Sequence, residues 1–327
     1  MKLVDVHTHM LNEAWLRLLK RHGGRYKVMK VKGGQTGIHR DGAPFMTLTP
    51  GMFDYEARIR AMDEAGVDIA IVTLTSPNVY WGSGKVSLEA AKLVNDDMAA
   101  QQKRYPERIR FMCSLPWRHA KLALAELKRS CDELGAVGVM VLANIDGASL
   151  TDKLFSSIWR EIDRRGLPVL IHPTAPPGTK ELDVASYNLI ASVGFMFDTS
   201  LAVSRMIFDG FFERYPNLKL IAAHGGGALP YIAGRLDICF DKMPACRERI
   251  SRNPSSYLKK IYYDSVVFQQ ESLNLCVALG GEDKVLYGSD YPHNIGDMKG
   301  CLARVDALPA AQRDAVRGGN ALRIFRL

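Results

Sequence analysis

Short apolar, β-branched runs alternate along this chain with longer stretches in which apolar residues recur every three to four positions. The short runs predict strands at Leu3–His7, Val67–Leu74, Ile109–Leu115, Val137–Leu142, Pro168–His172, Leu218–His224, Ile261–Asp264 and Lys284–Gly288. Helical spacing fills the intervals at roughly 54–65, 87–104, 119–134, 151–165, 186–214, 229–243 and 270–280, with a last helical region at 298–305 and 310–317. Strands alternating with helices predict a parallel sheet with crossover helices, and eight strands are the number that closes a barrel. The expected fold is a single α/β domain over residues 1–327, a (β/α)8 TIM barrel.

The punctuation agrees. Gly66, Gly135 and Gly166 each follow a helical stretch and precede a strand, and Tyr105-Pro106 and Tyr215-Pro216 stop two more helices. The stretch from Gly23 to Gly51 breaks the alternation with several glycines and short β-like pieces such as Tyr26–Val31. It predicts a small β insertion after the first strand, near the barrel mouth. Two long loops, Ser76–Lys85 with Tyr80 and Trp81, and Pro173–Ala185, also follow strands. Loops in that position build the active site of this architecture.

Composition narrows the class. Of 327 residues, 47% are hydrophobic and 24% charged, an ordinary balance for a soluble globular chain. No run approaches about 18 consecutive apolar residues, so no membrane span is expected. No signal-peptide pattern opens the chain, and a cytoplasmic location is the expectation. The six cysteines are scattered without a Cys-x-x-Cys pair, which argues against a zinc ribbon or a thioredoxin-like site and for reduced thiols. The net charge of +8 suits either steering of an anionic substrate or lysines and arginines spread over solvated helix faces. The densest basic stretch, Arg17 to Lys32, has few aromatics and no nucleic-acid motif, so no nucleic-acid partner is expected.

The chemistry gathers at strand ends. His7 and His9 stand two apart where a buried strand runs out, and alternate strand residues share a face. Alone, the pair is open to two readings, a metal pair or two hydrogen-bonded histidines. His172 and His224, however, end two further strands, and Asp290 follows Val285–Ser289. In a closed barrel all five lie on one rim. Nitrogen and carboxylate donors converging from several strands define a catalytic site of the zinc type. Gly225, Gly226 and Gly227 after His224 allow the backbone to approach that site closely, or simply make a tight turn.

Four motifs, Val4-Asp5-Val6-His7-Thr8-His9, Ile171-His172-Pro173, Ala223–Pro230 and Tyr287–His293, resemble the amidohydrolase superfamily. The nearest branch is the amidohydrolase-2 group, which includes aminocarboxymuconate-semialdehyde decarboxylase. The likeness runs along nearly the whole chain, through Arg58–Val67 to Gly319-Asn320-Ala321. It implies His7, His9, His172 and Asp290 as ligands of one divalent metal ion, with zinc the first expectation and manganese the second. It implies His224 as the acid/base. Binuclear relatives carry a lysine at the end of strand four, and Val137–Leu142 has none, which points to one metal. His293 is open to a hydrogen bond near Asp290 or a structural role.

The resemblance also implies that Arg235 reaches a neighbouring subunit's site to grip a substrate carboxylate, in a homodimer. A second carboxylate-binding arginine of the resembled decarboxylase has no counterpart in Met46–Gly51, where Thr49 takes its place. Threonine lacks the charged, bidentate fork of arginine, so a monocarboxylate such as a hydroxylated aromatic acid becomes the expected substrate. Tyr80, Trp81 and Phe195 are candidates for the pocket lining, or for packing.

The expected function is non-oxidative decarboxylation of an unsaturated or aromatic acid, the proton being delivered by His224, Asp290 or water. A metal-dependent hydrolase or hydratase on the same scaffold is the alternative. A barrel retained only for binding is disfavoured because all five site residues are present.

Overall fold

The computed structural model describes residues 2–31 and 34–327; Lys32 and Gly33, inside the expected insertion, lie outside the described residues. Eight strands, β1 (Val4–His9), β5 (Ile69–Thr73), β6 (Ile109–Cys113), β7 (Gly138–Leu142), β10 (Pro168–His172), β11 (Lys219–Ala222), β12 (Tyr262–Asp264) and β13 (Val285–Leu286), pair in parallel in that order. β1 and β13 then meet. Val6 donates to the Tyr287 carbonyl at 3.0 Å, Asp290 to the His7 carbonyl at 2.8 Å, and Thr8 bridges Tyr291, so the sheet closes into the expected barrel. Its strands are buried almost throughout, as strands with packed side chains inside and helices outside require.

The remaining strands are local. β2 (Tyr26–Lys30), β3 (Thr36–Arg40) and β4 (Ala43–Thr47) form an antiparallel sheet over the barrel mouth, which is the expected insertion; β8 (Asn144–Ile145) and β9 (Ala148–Ser149) form a two-residue hairpin. The outer layer comprises α1 (Glu13–His22), α2 (Tyr55–Ala65), α3 (Gly84–Arg104), α4 (Ala120–Asp132), α5 (Ser156–Arg165), α6 (Phe195–Phe208), α7 (Phe211–Arg214), α8 (Leu229–Lys242), α9 (Pro254–Leu258), α10 (Gln270–Gly280), α11 (Met298–Asp306), α12 (Ala310–Asp314) and α13 (Asn320–Phe325). Capping explains several boundaries. The Asn12 side chain accepts from Ala14 and Trp15, the Asp54 carboxylate from Ala57 and the Ser83 hydroxyl from Val86, satisfying first-turn N–H groups of α1, α2 and α3.

Two expectations need correction. The chain does not pass from the first strand directly into the β insertion, because the amphipathic α1 comes first, with Trp15, Leu16, Leu18 and Leu19 buried. The single helix expected over 186–214 is broken: short 3-10 and π turns lead into α6, and Gly210 in the left-handed region separates it from α7. By length and composition the helical stretch Ser186–Phe208 meets the requirement for crossing a membrane, although no uninterrupted apolar run marks it. Half of its apolar window is buried within the fold.

Candidate metal centre

The parallel ladder puts the C-terminal ends of all eight strands on one rim, and the polar residues expected there converge. His7 and His9 project inward from β1, their Nε2 atoms 3.1 Å apart. Asp290 Oδ1 lies 3.4 Å from His7 Nε2 and 3.2 Å from His9 Nε2, while its Oδ2 lies 3.6 Å from His224 Nε2. Ligand atoms of His7, His172, His224 and Asp290 all lie within 4.8 Å of one another, and His9, Asp290 and His293 form an overlapping group. Every sequence-predicted rim residue is therefore brought together, and His293 joins them.

Outer partners fix the rings. His7 Nδ1 faces Asp264 Oδ2 at 2.5 Å, His9 Nδ1 faces Thr73 Oγ1 at 2.9 Å, and His172 Nδ1 donates to the Pro173 carbonyl at 2.8 Å. Each contact commits Nδ1 and leaves Nε2 aimed at the centre. Asp264 also accepts the backbone N–H groups of His224, Gly225 and Val266 at 2.9, 2.9 and 3.0 Å. One carboxylate thereby positions both His7 and the turn that carries His224. Asp5, buried beneath, accepts from the Ser289 hydroxyl at 2.5 Å and from the His7 and Ser289 N–H groups at 3.2 Å, stapling β1 to the segment before Asp290.

Burial sets the charges. It pulls the His9 imidazole down to about 3, and His172 and His293 also fall below the ordinary histidine range. Burial pulls on His7 too, but the Asp264 carboxylate against its ring outweighs this and lifts it to about 10. Burial opposes ionisation of Asp290, yet the surrounding histidines, His293 first, hold its carboxyl well below the usual range. The donor set fits a single divalent metal ion. His172 Nε2 is buried without a hydrogen-bond partner, the neutral His9 and His172 rings stand beside an ionised Asp290 carboxylate, and His7, protonated against Asp264, would release its Nε2 proton on ligating the ion. Leu142, at the end of β7, is not a lysine, in keeping with one metal.

Above the centre opens a cavity of about 650 Å³. His172, His224, Asp290 and His293 lie on its floor, and Phe45, Met46, Phe195 and Phe268 are among its apolar walls. Among the described residues no lysine or arginine lines it. Phe195 is thus in the pocket, and Tyr80 and Trp81 are not. The Trp81 indole donates to the Asn78 carbonyl at 2.9 Å, and Tyr80 sits in a small separate recess with Tyr26, Arg40 and Leu142. Both rings turn inward to pack, which corrects their assignment to the substrate. Arg235 stands exposed on α8 and does not line its own chain's cavity. Thr49 spends its hydroxyl on the Pro292 carbonyl at 3.3 Å. Sequence reasoning missed Asp264, Asp5 and Arg58. Only Asp264, the last residue of an expected strand, carried a readable signal.

Five metal-competent side chains on the C-terminal rim of a (β/α)8 barrel, beneath an apolar cavity, define a metal-dependent barrel enzyme. The family model for amidohydrolases matches residues 4–327, and the chain belongs to that family. It is 32% identical to the 2-amino-3-carboxymuconate-6-semialdehyde decarboxylase of Dictyostelium discoideum, over 99% of this chain and 91% of that protein. It is 28% identical to a gamma-resorcylate decarboxylase of a Polaromonas species, over 83% of this chain and 87% of the relative. Among solved structures, a 5-carboxyvanillate decarboxylase of Novosphingobium aromaticivorans superposes with a TM-score of 0.84 at 25% identity, covering 100% of this chain and 97% of that one. It was crystallised with manganese and 3-methoxy-4-hydroxy-5-nitrobenzoic acid.

Proposed function

We propose that this protein is a metal-dependent, non-oxidative decarboxylase of a hydroxylated aromatic or otherwise unsaturated monocarboxylic acid. The observation that carries the reading is the His224–Asp290 pair, 3.6 Å apart beside four further histidines, under a cavity with largely apolar walls and, among the described residues, no lysine or arginine in its lining. Such a cavity accepts a flat apolar body with its polar atoms directed at the floor. Among the described residues, one chain's lining offers a second, remote carboxylate no cationic partner.

His7, His9, His172 and Asp290 would hold the ion, for which we propose zinc. Manganese in the Novosphingobium relative makes that metal the second choice. When bound, a divalent ion supplies a Lewis acid that takes up negative charge on a substrate oxygen. The chain's own residues do the rest. Phe195, Phe45 and Phe268 hold the ring and exclude water. His224, its Nε2 3.6 Å from the Asp290 carboxylate, is the acid whose proton goes to the carbon losing the carboxylate as carbon dioxide leaves.

The carboxylate partner is proposed to come from a second copy. Tyr231, Arg235 and Ile238 are exposed and share one face of α8 at i, i+4 and i+7. In a homodimer that apolar face is covered, and Arg235 extends towards the partner's cavity. We place the enzyme in the cytoplasm, in a degradation pathway for aromatic acids.

The test is mass spectrometry of products after incubating metal-loaded protein with hydroxybenzoates, muconates, lactones and amides. Loss of carbon dioxide from one acid, absent in His224→Ala with metal retained, supports the proposal. Incorporation of water into a lactone or amide instead makes the protein a hydrolase and overturns it.

A further inference from the structure

The end of the barrel opposite the metal centre holds a second recess of about 730 Å³, and its chemistry is cationic. Three adjacent parallel strands enter the barrel there next to lysines. Lys219 opens β11, Lys260 lies two residues before β12, and Lys284 immediately precedes β13. Neighbouring strands are about 4.8 Å apart, so the fold itself crowds these ammonium groups on one rim. Arg326, just past α13, adds a guanidinium from the far wall, and Lys259 one more charge.

Some cations in the recess are already satisfied. Arg164 and Arg165 pair with Glu161 at 2.6 Å, and Lys284 pairs with Asp283 at 2.6 Å. Among the described residues the one carboxylate in the lining, Asp163, accepts instead from the Asn217 backbone at 2.7 Å. Among the described residues no carboxylate pairs with Lys219, Lys259, Lys260 or Arg326. Lys219 is half-buried, with only the Ile324 carbonyl at 3.4 Å for its ammonium. Burial, then Arg326 and Arg323, push its pKa below the ordinary lysine value. Like charges assembled without a counter-charge cost stability, and an anion seated between them returns it.

We infer that this recess at the N-terminal end of the barrel is a binding site for a phosphate group, free or carried by a small organic molecule. A dianion matches several facing cations where a single carboxylate does not, and the Arg326 fork suits phosphate oxygens. The inference is independent of the decarboxylase reading, because the site shares no lining residue with the metal cavity.

The experiment is isothermal titration of the metal-loaded protein, at about 0.15 M salt, with inorganic phosphate and separately with AMP. At least one should bind one-to-one with Kd below about 1 mM. Lys260→Glu/Arg326→Glu, and separately Lys219→Met, should each weaken that binding at least tenfold. Lys20→Glu/Lys121→Glu, with the same change in net charge as the first pair but on α1 and α4, away from the recess lining, should leave it unchanged. Binding of AMP alone assigns the site to an organic phosphate; equal binding of both assigns it to free phosphate. No binding at millimolar ligand, equal weakening in the Lys20/Lys121 control, or binding that survives in the recess variants overturns the inference.

Discussion

Arg58 Nη2 donates to the main-chain carbonyl of His9 at 2.5 Å, from a guanidinium that is completely buried. Its Nη1 donates to Thr8 Oγ1 at 2.6 Å, and its cation lies 4.8 Å from the centre of the Tyr291 ring. The side chain thus reaches from α2 under the rim and grips the two residues that follow His7. It acts on the ligands through the backbone. Arg58→Ala should lower stability by about 1–3 kcal/mol, the cost of leaving the His9 carbonyl and Thr8 hydroxyl buried without their donor. It should also weaken metal binding, read by competition with a chromophoric chelator. Arg58→Lys restores the charge but not the fork, so it should recover stability more than metal affinity. Unchanged metal affinity in both variants would remove Arg58 from the positioning role.

Asp264 governs two functional histidines at once, orienting the His7 ring and the backbone of His224. Asp264→Asn keeps the shape, but an amide has one acceptor oxygen where the carboxylate now meets four donors. Metal affinity is expected to fall about 10–100-fold, as for other lost outer-shell carboxylates. Turnover at saturating metal should fall as well, because His224 loses its register. A variant that binds metal normally and turns over normally would show that Asp264 only packs.

What is legible in the sequence follows from range. His7, His9, His172 and His224 sit within a residue or two of the ends of continuous apolar strands, so their local pattern places them on the rim. Arg58 carries no such mark: it stands in a helix whose charged residues read as a solvated face, and only the closed barrel shows that it points inward. Tyr80 and Trp81 mislead for the opposite reason. A loop after a strand reads as site wall, but the packing of the Trp81 ring against Trp15, ring centres 6.3 Å apart, is a tertiary choice that spacing does not record. α1 is absent from the expected elements although its signals are local. Asn12 before Glu13 is an N-cap signal, and Trp15, Leu16, Leu18 and Leu19 repeat with helical spacing.

Gly227 separates the His224 turn from α8 at φ +63° and ψ −122°, a conformation that belongs almost entirely to glycine. A Cβ there would stand 2.5 Å from the Met196 carbonyl oxygen and 2.9 Å from Ser200 Oγ. Gly227→Ala must therefore push α6 away from the turn or change the turn itself. The expected result is a loss of about 1–3 kcal/mol in chemical denaturation, with activity falling further than stability because His224 lies three residues upstream. Wild-type stability with wild-type kcat would show that the turn has slack.

Asp198 gives a test in pH. Its carboxyl is buried on α6, where Oδ2 accepts the Thr174 N–H at 2.9 Å and Oδ1 the Asn144 side-chain N–H at 2.9 Å, fastening the loop that follows His172. Burial raises its pKa from 3.8 to about 6 despite those hydrogen bonds and the nearby Arg40. A carboxyl raised in the folded state binds protons that the unfolded chain has already released. Its contribution to stability is therefore greatest below the unfolded value and declines as pH rises through the folded one. Asp198→Ala loses the hydrogen bonds at every pH but has nothing to titrate. The stability gap between wild type and variant should thus narrow by about 2 kcal/mol between roughly pH 4 and pH 7, because each pH unit over which the folded carboxyl keeps its proton longer is worth about 1.4 kcal/mol. Denaturation curves across that range would read it directly. A gap that stays constant means Asp198 titrates as an ordinary carboxyl, and a gap that widens means its charged form is the one the fold prefers.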